Sequence, residues 1–321
     1  MTAAVELPAL DGRDTLGFLA ALGVLRLLTD EAKIETRLSF SESNANAILH
    51  SPLTSIDEVV DILVHVVDHI PSAGAIPGVP AGFPQQPGTG KDPMRVPRDQ
   101  LRRTFAQLAD GQRGPEACRW LAALLTDLAA DREGRAALTP YSAPGGKQSV
   151  RSFFVKPLEL LRSKEPATLV REALVRWRRV DNYTGENLDH RVLRSAADHP
   201  SGESVPAGVP GATWLAIMAL PMLRLTGNGT NPQATLWHNV VGSRQPIMVW
   251  PLWRQPLDSY AVVALLEHPA LRPRQGTDAP VVPRAGLAPL GVFFVGAAAR
   301  QPVKGAKSAG VLAPTRISLV D

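Results

Sequence analysis

Cysteine is almost absent: Cys118 stands alone among 321 residues. That excludes an internal disulfide and is too little for a structural zinc site. Only 3 tyrosines and 8 phenylalanines occur. No run of eighteen apolar residues is present, so no membrane span is expected. The opening MTAAVELPALDGRD has acids and a turn where a secretory signal needs basic residues and then an apolar stretch, which predicts a cytoplasmic protein. What is plentiful sets the other bounds. Hydrophobic residues make up 45% and charged residues 20%, which excludes disorder over the whole length. The length suits two domains or one large one. The 29 prolines and 26 glycines describe a loop-rich, helix-favouring chain.

Net charge is only +4, but it is unevenly spread. Residues 1–94 hold 5 basic and 12 acidic side chains, residues 147–194 hold 11 and 6, and residues 272–321 hold 7 and 2. Such asymmetry suits a subunit with one part facing an anionic polymer and another facing protein or water. A solvated basic face on an Arg-rich protein has the same composition.

Residues 5–13 predict a short strand entering an Asp-Gly turn, after which Asp14 or Thr15 caps a helix over 16–29. Leu16, Leu19, Leu22, Leu25 and Leu28 line one face of it, while Phe18, Ala21, Val24 and Leu27 make the opposite side apolar as well. A helix greasy on every side is buried on every side. Gly17 and Gly23 predict close approach by another element, and Arg26 requires a partner. Alternation over 34–40 predicts a half-buried strand. Ser55 and Glu58 have capping-box spacing at the start of a helix over 56–69. Residues 71–97 contain seven prolines and five glycines and predict a long surface loop.

Helices are expected over 98–109, 115–130, 149–163 and 167–178. Beyond residue 200 come a buried helix over 212–220 and strands over 222–226, 234–238 and 247–250, with GNGTNP turning between the first two. Asp258 caps a helix to residue 267, and a last strand covers 291–298. Trp237, Trp250 and Trp253 read as core. The fold class is α+β, helix-rich in the middle, with short mixed or antiparallel strands in the N-terminal and C-terminal parts. The organisation is an N-terminal α/β segment (1–70), a Pro/Gly-rich loop (71–97), a basic helical region (98–205) and an α+β C-terminal region (206–321).

Catalytic and metal patterns fare poorly. GTGKDP at 88–93 lacks the P-loop glycine, since position 85 is Gln, and Asp92 replaces the Ser or Thr that holds magnesium. His65 and His69 have the spacing of two ligands, but Val66 stands where a zinc protease needs Glu. Asp189-His190 beside Asp181 and Glu186 admits a metal or acid–base site, and a local salt-bridge network with Arg191 and Arg194 is the preferred explanation. No G-x-S-x-G elbow occurs, and Cys118 has no evident activating neighbour. No enzyme, cofactor or metal is expected.

Nucleic-acid contacts are better supported. Gly145, Gly146, Lys147, Gln148 and Ser149 form a flexible turn feeding a helix start, where free N–H groups and the helix dipole favour a phosphate and Arg151 adds charge. A plain loop-to-helix junction reads the same way. Trp177 lies among Arg176, Arg178 and Arg179, followed by Asn182 and Tyr183. That mixture suits phosphate binding and base stacking, and equally a core Trp flanked by exposed arginines. Lys147, Arg151, Arg176, Arg178 and Arg179 are the candidate phosphate contacts. Gln148, Asn182 and Arg179 are the candidates for base edges, and the 71–97 loop, with Lys91 and Arg95, is long enough to reach a groove.

The stretch LDGRDTLGFLAALGVLRLL at 10–28 resembles the N-terminal signature of large-subunit proteins of type I-G (formerly I-U) CRISPR systems, in which an "L-x-G…PLG-x-L-x-ALG-x-LR" segment opens the chain. The PGGKQS turn at 144–149 is compatible with Gly/Gln turns of such subunits. The resemblance implies a non-catalytic, DNA-binding large subunit of a crRNA-guided Cascade complex active in antiviral defence. Its partners would be crRNA, target DNA, other Cascade subunits and a separate helicase-nuclease, and it would read the protospacer-adjacent motif and aid duplex opening. The alternative is a cytosolic scaffold or assembly subunit that binds protein through its buried-helix region and contacts no nucleic acid.

Overall fold

A computed structural model describes residues 2–70, 76, 79, 96–111, 114–131, 133–143, 150–198, 200–240, 245–302 and 309–320. Strand β1 (Ala3–Asp11) ends at the turn where the carboxylate of Asp14 accepts the Leu16 amide at 2.9 Å and caps α1 (Thr15–Arg26). Strands β2 (Arg37–Phe40) and β3 (Asn46–Ser51) complete an antiparallel sheet in the order β1-β3-β2. The 34–40 strand is thus shorter than its alternation predicts, and its partner β3 carries no signal strong enough to be read alone. Helix α2 (Ile56–His69) follows, with Ser55 Oγ accepting the Glu58 amide at 3.2 Å. The reciprocal bond falls one residue early, from the Thr54 amide to Glu58 Oε2.

The middle of the chain contains α3 (Arg98–Ala109), α4 (Gly114–Leu124), β4 (Leu125–Ala130), β5 (Ala136–Leu138), α5 (Val150–Ser163), α6 (Pro166–Val175), β6 (Val180–Asp181) and α7 (Arg191–Ala197). Residues 125–130 continue an Ala/Leu-rich helical pattern in sequence, yet they pair as a bulged strand with β5, so tertiary pairing overrides local propensity. The C-terminal part contains β7 (Ala207–Gly208), α8 (Pro210–Met218), β8 (Leu225–Gly227), β9 (Pro232–Ala234), β10 (Trp237–His238), β11 (Ile247–Trp253), α9 (Ser259–Leu266), β12 (Val281–Pro283), β13 (Val292–Gln301), β14 (Val311–Pro314) and β15 (Ser318–Val320). A four-stranded antiparallel sheet runs β10-β11-β13-β14. The class is α+β. No described helix is long and apolar enough to cross a membrane.

The spine is α1 against α8. Every residue of both helices is buried, so the apolar surface of α1 is covered by its own chain, with none left over for a partner. The two glycines of α1 account for the close packing. A Cβ at Gly17 would run into the carbonyl of Asp11, and one at Gly23 into the carbonyl of Leu215 on α8.

Arg26 is resolved by a change of helix type. The turn Leu27–Glu31 is a π-helix, whose i→i+5 geometry brings Glu31 over Arg26. Their ion pair measures 3.0 Å. Arg26 also donates to the Met218 carbonyl and lies 5.1 Å over the Trp120 ring. Burial lowers its pKa, and Glu31 and Asp30 oppose that shift.

Indole N–H groups join the two larger sheets. Trp250 Nε1 donates to the Gly12 carbonyl at 2.8 Å, and Trp253 Nε1 to the Leu38 carbonyl at 2.7 Å. Phe40 meets Trp253 edge-on at 5.0 Å. Trp250 and Trp253 are core, whereas Trp237 is only half-buried.

Gly23→Ala pushes α1 off α8 and should destabilise the protein by about 3 kcal/mol, the cost of overpacking a site that cannot relax. A lower urea midpoint at unchanged m-value is the expected readout, and an unshifted midpoint would contradict the close approach.

Candidate nucleic-acid interface

Among the described residues the segment between α6 and α7 holds the densest group of positive φ angles. Asn182, Gly185, Glu186 and Asn187 have φ values of 62°, 60°, 48° and 63°. Only the glycine adopts that region at no steric cost, and such strain persists where the surroundings over-determine it. Here the surroundings are polar and buried. Asp189 is 0% exposed and accepts Arg179 Nη1 at 2.7 Å; the same nitrogen donates to the Ala207 carbonyl at 2.7 Å. Arg191 reaches back to the capping residue Asp14 at 3.1 Å and lies 5.8 Å over the Trp177 ring. Burial raises the pKa of Asp14, with Arg191 and His190 opposing. Tyr183 and Glu186 are also buried.

The expected salt-bridge network around Asp189 therefore exists with different pairings. Arg191 pairs across the fold with Asp14, Arg194 takes Asp198 at 3.6 Å, and Asp189 takes Arg179.

Arg300 on β13 holds this segment to the chain ahead of α5. Its Nε and Nη2 donate to the Pro140 carbonyl at 3.2 and 2.9 Å, and Nη2 also to the Tyr141 carbonyl at 2.6 Å. Its Nη1 donates to the carbonyls of Asn187 at 2.8 Å and Gly310 at 3.1 Å. Burial pushes its pKa below the ordinary arginine value. The amide of Asn187 adds a 3.5 Å bond to the Ala143 carbonyl. Residue 143 is thereby fixed beside residue 187. Residue 150 begins α5. Between α5 and residues 182–186 lies a groove of about 460 Å3, lined by Lys156, Ser163, Asn182 and Thr184, with Glu159 and Glu186 also in its walls.

Residue 143 and the left-handed segment, far apart in sequence, are thus neighbours. Gly145, Gly146, Lys147, Gln148 and Ser149 themselves lie outside the described residues, as do Lys91 and Arg95 in the 71–97 loop. Arg151 falls on the first turn of α5, with its side chain outside the described part.

The remaining candidates divide by environment. Arg176 and Asn182 are exposed, and Asn182 lines the groove. Arg178 is engaged by Glu172 at 2.7 Å, and Arg179 serves the fold through Asp189. Trp177 is half-buried, its Nε1 donating to the Ala173 carbonyl at 3.0 Å, so it belongs to the packing beneath the surface. Lys156 and Lys164 are exposed cations that motif reasoning passes over. Lys156 lies on α5 and Lys164 just past its end, at spacings of five and thirteen residues from Arg151 that share no helical face with it, so the sequence pattern carries no signal for them.

His65 and His69 stack at 3.9 Å, with the His69 ring Nδ1 2.7 Å from the His65 carbonyl. Among the described residues no group of three potential metal ligands occurs.

Comparison with known proteins adds no assignment: no protein-family model matches the chain, and no curated protein matches it.

Replacing Arg300 with Gln leaves carbonyls of Pro140, Tyr141, Asn187 and Gly310 short of donors and should cost about 3 kcal/mol. Faster amide exchange at residues 139–143 and 185–188, relative to the α1–α8 spine, is the expected signature. Exchange unchanged at both segments would mean that Arg300 does not hold them.

Proposed function

We propose that the chain is a non-catalytic, DNA-binding large subunit of a crRNA-guided type I CRISPR surveillance complex, working in the cytoplasm. It reads the protospacer-adjacent motif, aids duplex opening and recruits a separate helicase-nuclease. The observation that carries this is the convergence of α5 and residue 143 on the 176–187 segment: one groove joins Lys156 to Asn182, and the Ala143 carbonyl accepts the Asn187 amide.

The chemistry is that of a backbone holder with a short reader. Guide pairing supplies most of the sequence information, so the protein needs phosphate contacts and few base contacts. Exposed Lys156 and Arg176, with Lys147 and Arg151, provide phosphate contacts. Asn182 and Gln148 carry amides suited to a base edge. Arg178 and Arg179 act differently: Arg178 is half neutralised by Glu172, and Arg179 keeps the left-handed segment in shape. The 10–28 stretch that resembles the family signature forms the buried spine, which is the kind of segment a family keeps for folding.

Fluorescence anisotropy of the full chain on duplex and single-stranded DNA across a salt series tests the assignment. Affinity should fall steeply with salt. Lys156→Ala and Arg176→Ala should each make the log–log slope shallower by about one unit, and Lys147→Glu with Arg151→Glu by more. Arg178→Ala should have a smaller effect. Absence of salt-dependent DNA binding by the chain, both alone and within its complex, would reject the assignment.

A further inference from the structure

A second cleft lies elsewhere, between the β8–β9 hairpin, β10 and the segment after α9. It encloses about 800 Å3, room for a ligand of nucleotide size. Its charge balance is positive. Glu267, the acid in its wall, is already engaged by Arg224 at 2.8 Å and by the Thr235 hydroxyl at 3.2 Å. Arg272 is exposed, and among the described residues its guanidinium has no ion pair. His268 Nδ1 accepts the Ala270 amide at 3.2 Å, which places the proton of the neutral ring on Nε2 as a donor.

The aromatic part of the cleft is built on strain. Leu236, buried, is held at φ 70° between β9 and β10, a conformation that bulky side chains rarely adopt. Trp237 follows it, half-buried, its ring edge-on to Tyr141 at 5.9 Å. The next residue, His238, is kept neutral at pH 7: burial and the charge of Arg272 push its pKa down to about 4. The His238 Nε2 atom is buried and has no hydrogen-bond partner among the described residues. Asn231 and Asn239 line the cleft and are exposed.

A cation with no ion pair among the described residues, a fixed N–H donor, a partly open indole and two amides make up the recognition set of a phosphate joined to a flat heterocycle. We infer that this cleft binds a mononucleotide unit, Arg272 and His268 taking the phosphate and Trp237 with the amides taking the base. The unit can arrive as a free nucleotide or as an unpaired nucleotide of a strand, and the two share this chemistry. The site does not depend on the α5 groove.

Titration calorimetry of the full chain with AMP, adenosine and inorganic phosphate provides the test. AMP should bind at least about tenfold more tightly than adenosine or phosphate, and Arg272→Ala should weaken AMP about tenfold while leaving the unfolding midpoint unchanged. His268→Gln should weaken AMP less, since the amide can still donate. Competition then separates the sources. If a strand supplies the unit, a DNA hairpin with one unpaired nucleotide displaces AMP and a fully paired hairpin of equal charge does not; if the ligand is free, neither hairpin displaces it. Equal affinity for AMP and adenosine, an Arg272→Ala variant that binds AMP as the parent does, or no saturation by AMP or by the unpaired hairpin would each overturn the inference.

Discussion

The guanidinium of Arg300 is the contact on which the proposed nucleic-acid surface depends. Among the described residues no carboxylate answers it; five N–H···O bonds to four backbone carbonyls do. Carbonyl dipoles can hold a cation removed from water only when all of its donors are met, because a half-satisfied charge in a poorly solvated site costs more than an apolar side chain there. The carbonyls come from three separate parts of the chain: Pro140 and Tyr141 after β5, Asn187 at the end of the left-handed segment, and Gly310 just ahead of β14. A planar fork can serve all three at once, and an ammonium has too few donors. The same bonds explain how Asn187 stays at positive φ.

The charge count of residues 147–194 makes this region basic, and the structure separates cations that hold the fold from cations available to a ligand. Arg171 pairs with Asp57, Arg178 with Glu172, Arg179 with Asp189 and Arg191 with Asp14. Arg162 donates to the carbonyls of Val67 and Ile70 at the end of α2. Lys156, Lys164 and Arg176 remain at the surface. An Arg-rich stretch therefore does two jobs, and sequence position alone does not assign them. The guanidinium fork suits the structural role, since it satisfies several acceptors at once, and Lys156 on α5 and Lys164 just after it are left to solvent.

Local signals were legible where the physics is local. The Asp14 cap, the Ser55–Glu58 box and the Asp258 cap lie within three or four residues of the amides they bind, and the sequence places all three helix starts. The glycines of α1 announce a close approach without saying to what. Long-range pairing defeats the same reasoning. Residues 125–130 look helical until β5 claims them, β3 is central in its sheet yet too short and mixed to stand out, and the π-turn after Arg26 follows from burial of a charge 2% exposed. The left-handed run at 182–187 contains one glycine, so nothing in its composition announces four positive φ angles. Arg300, 113 residues from Asn187, carries no local signal at all.

Photo-crosslinking of the guide-loaded complex to target DNA, read by mass spectrometry, addresses the central claim directly: that the chain on either side of α5's start and the 176–187 segment form one nucleic-acid surface. The account predicts cross-linked peptides from both stretches, lost together when Arg300 is replaced. Cross-links confined to the acidic first 94 residues, or absent from both stretches in an intact complex, would contradict it.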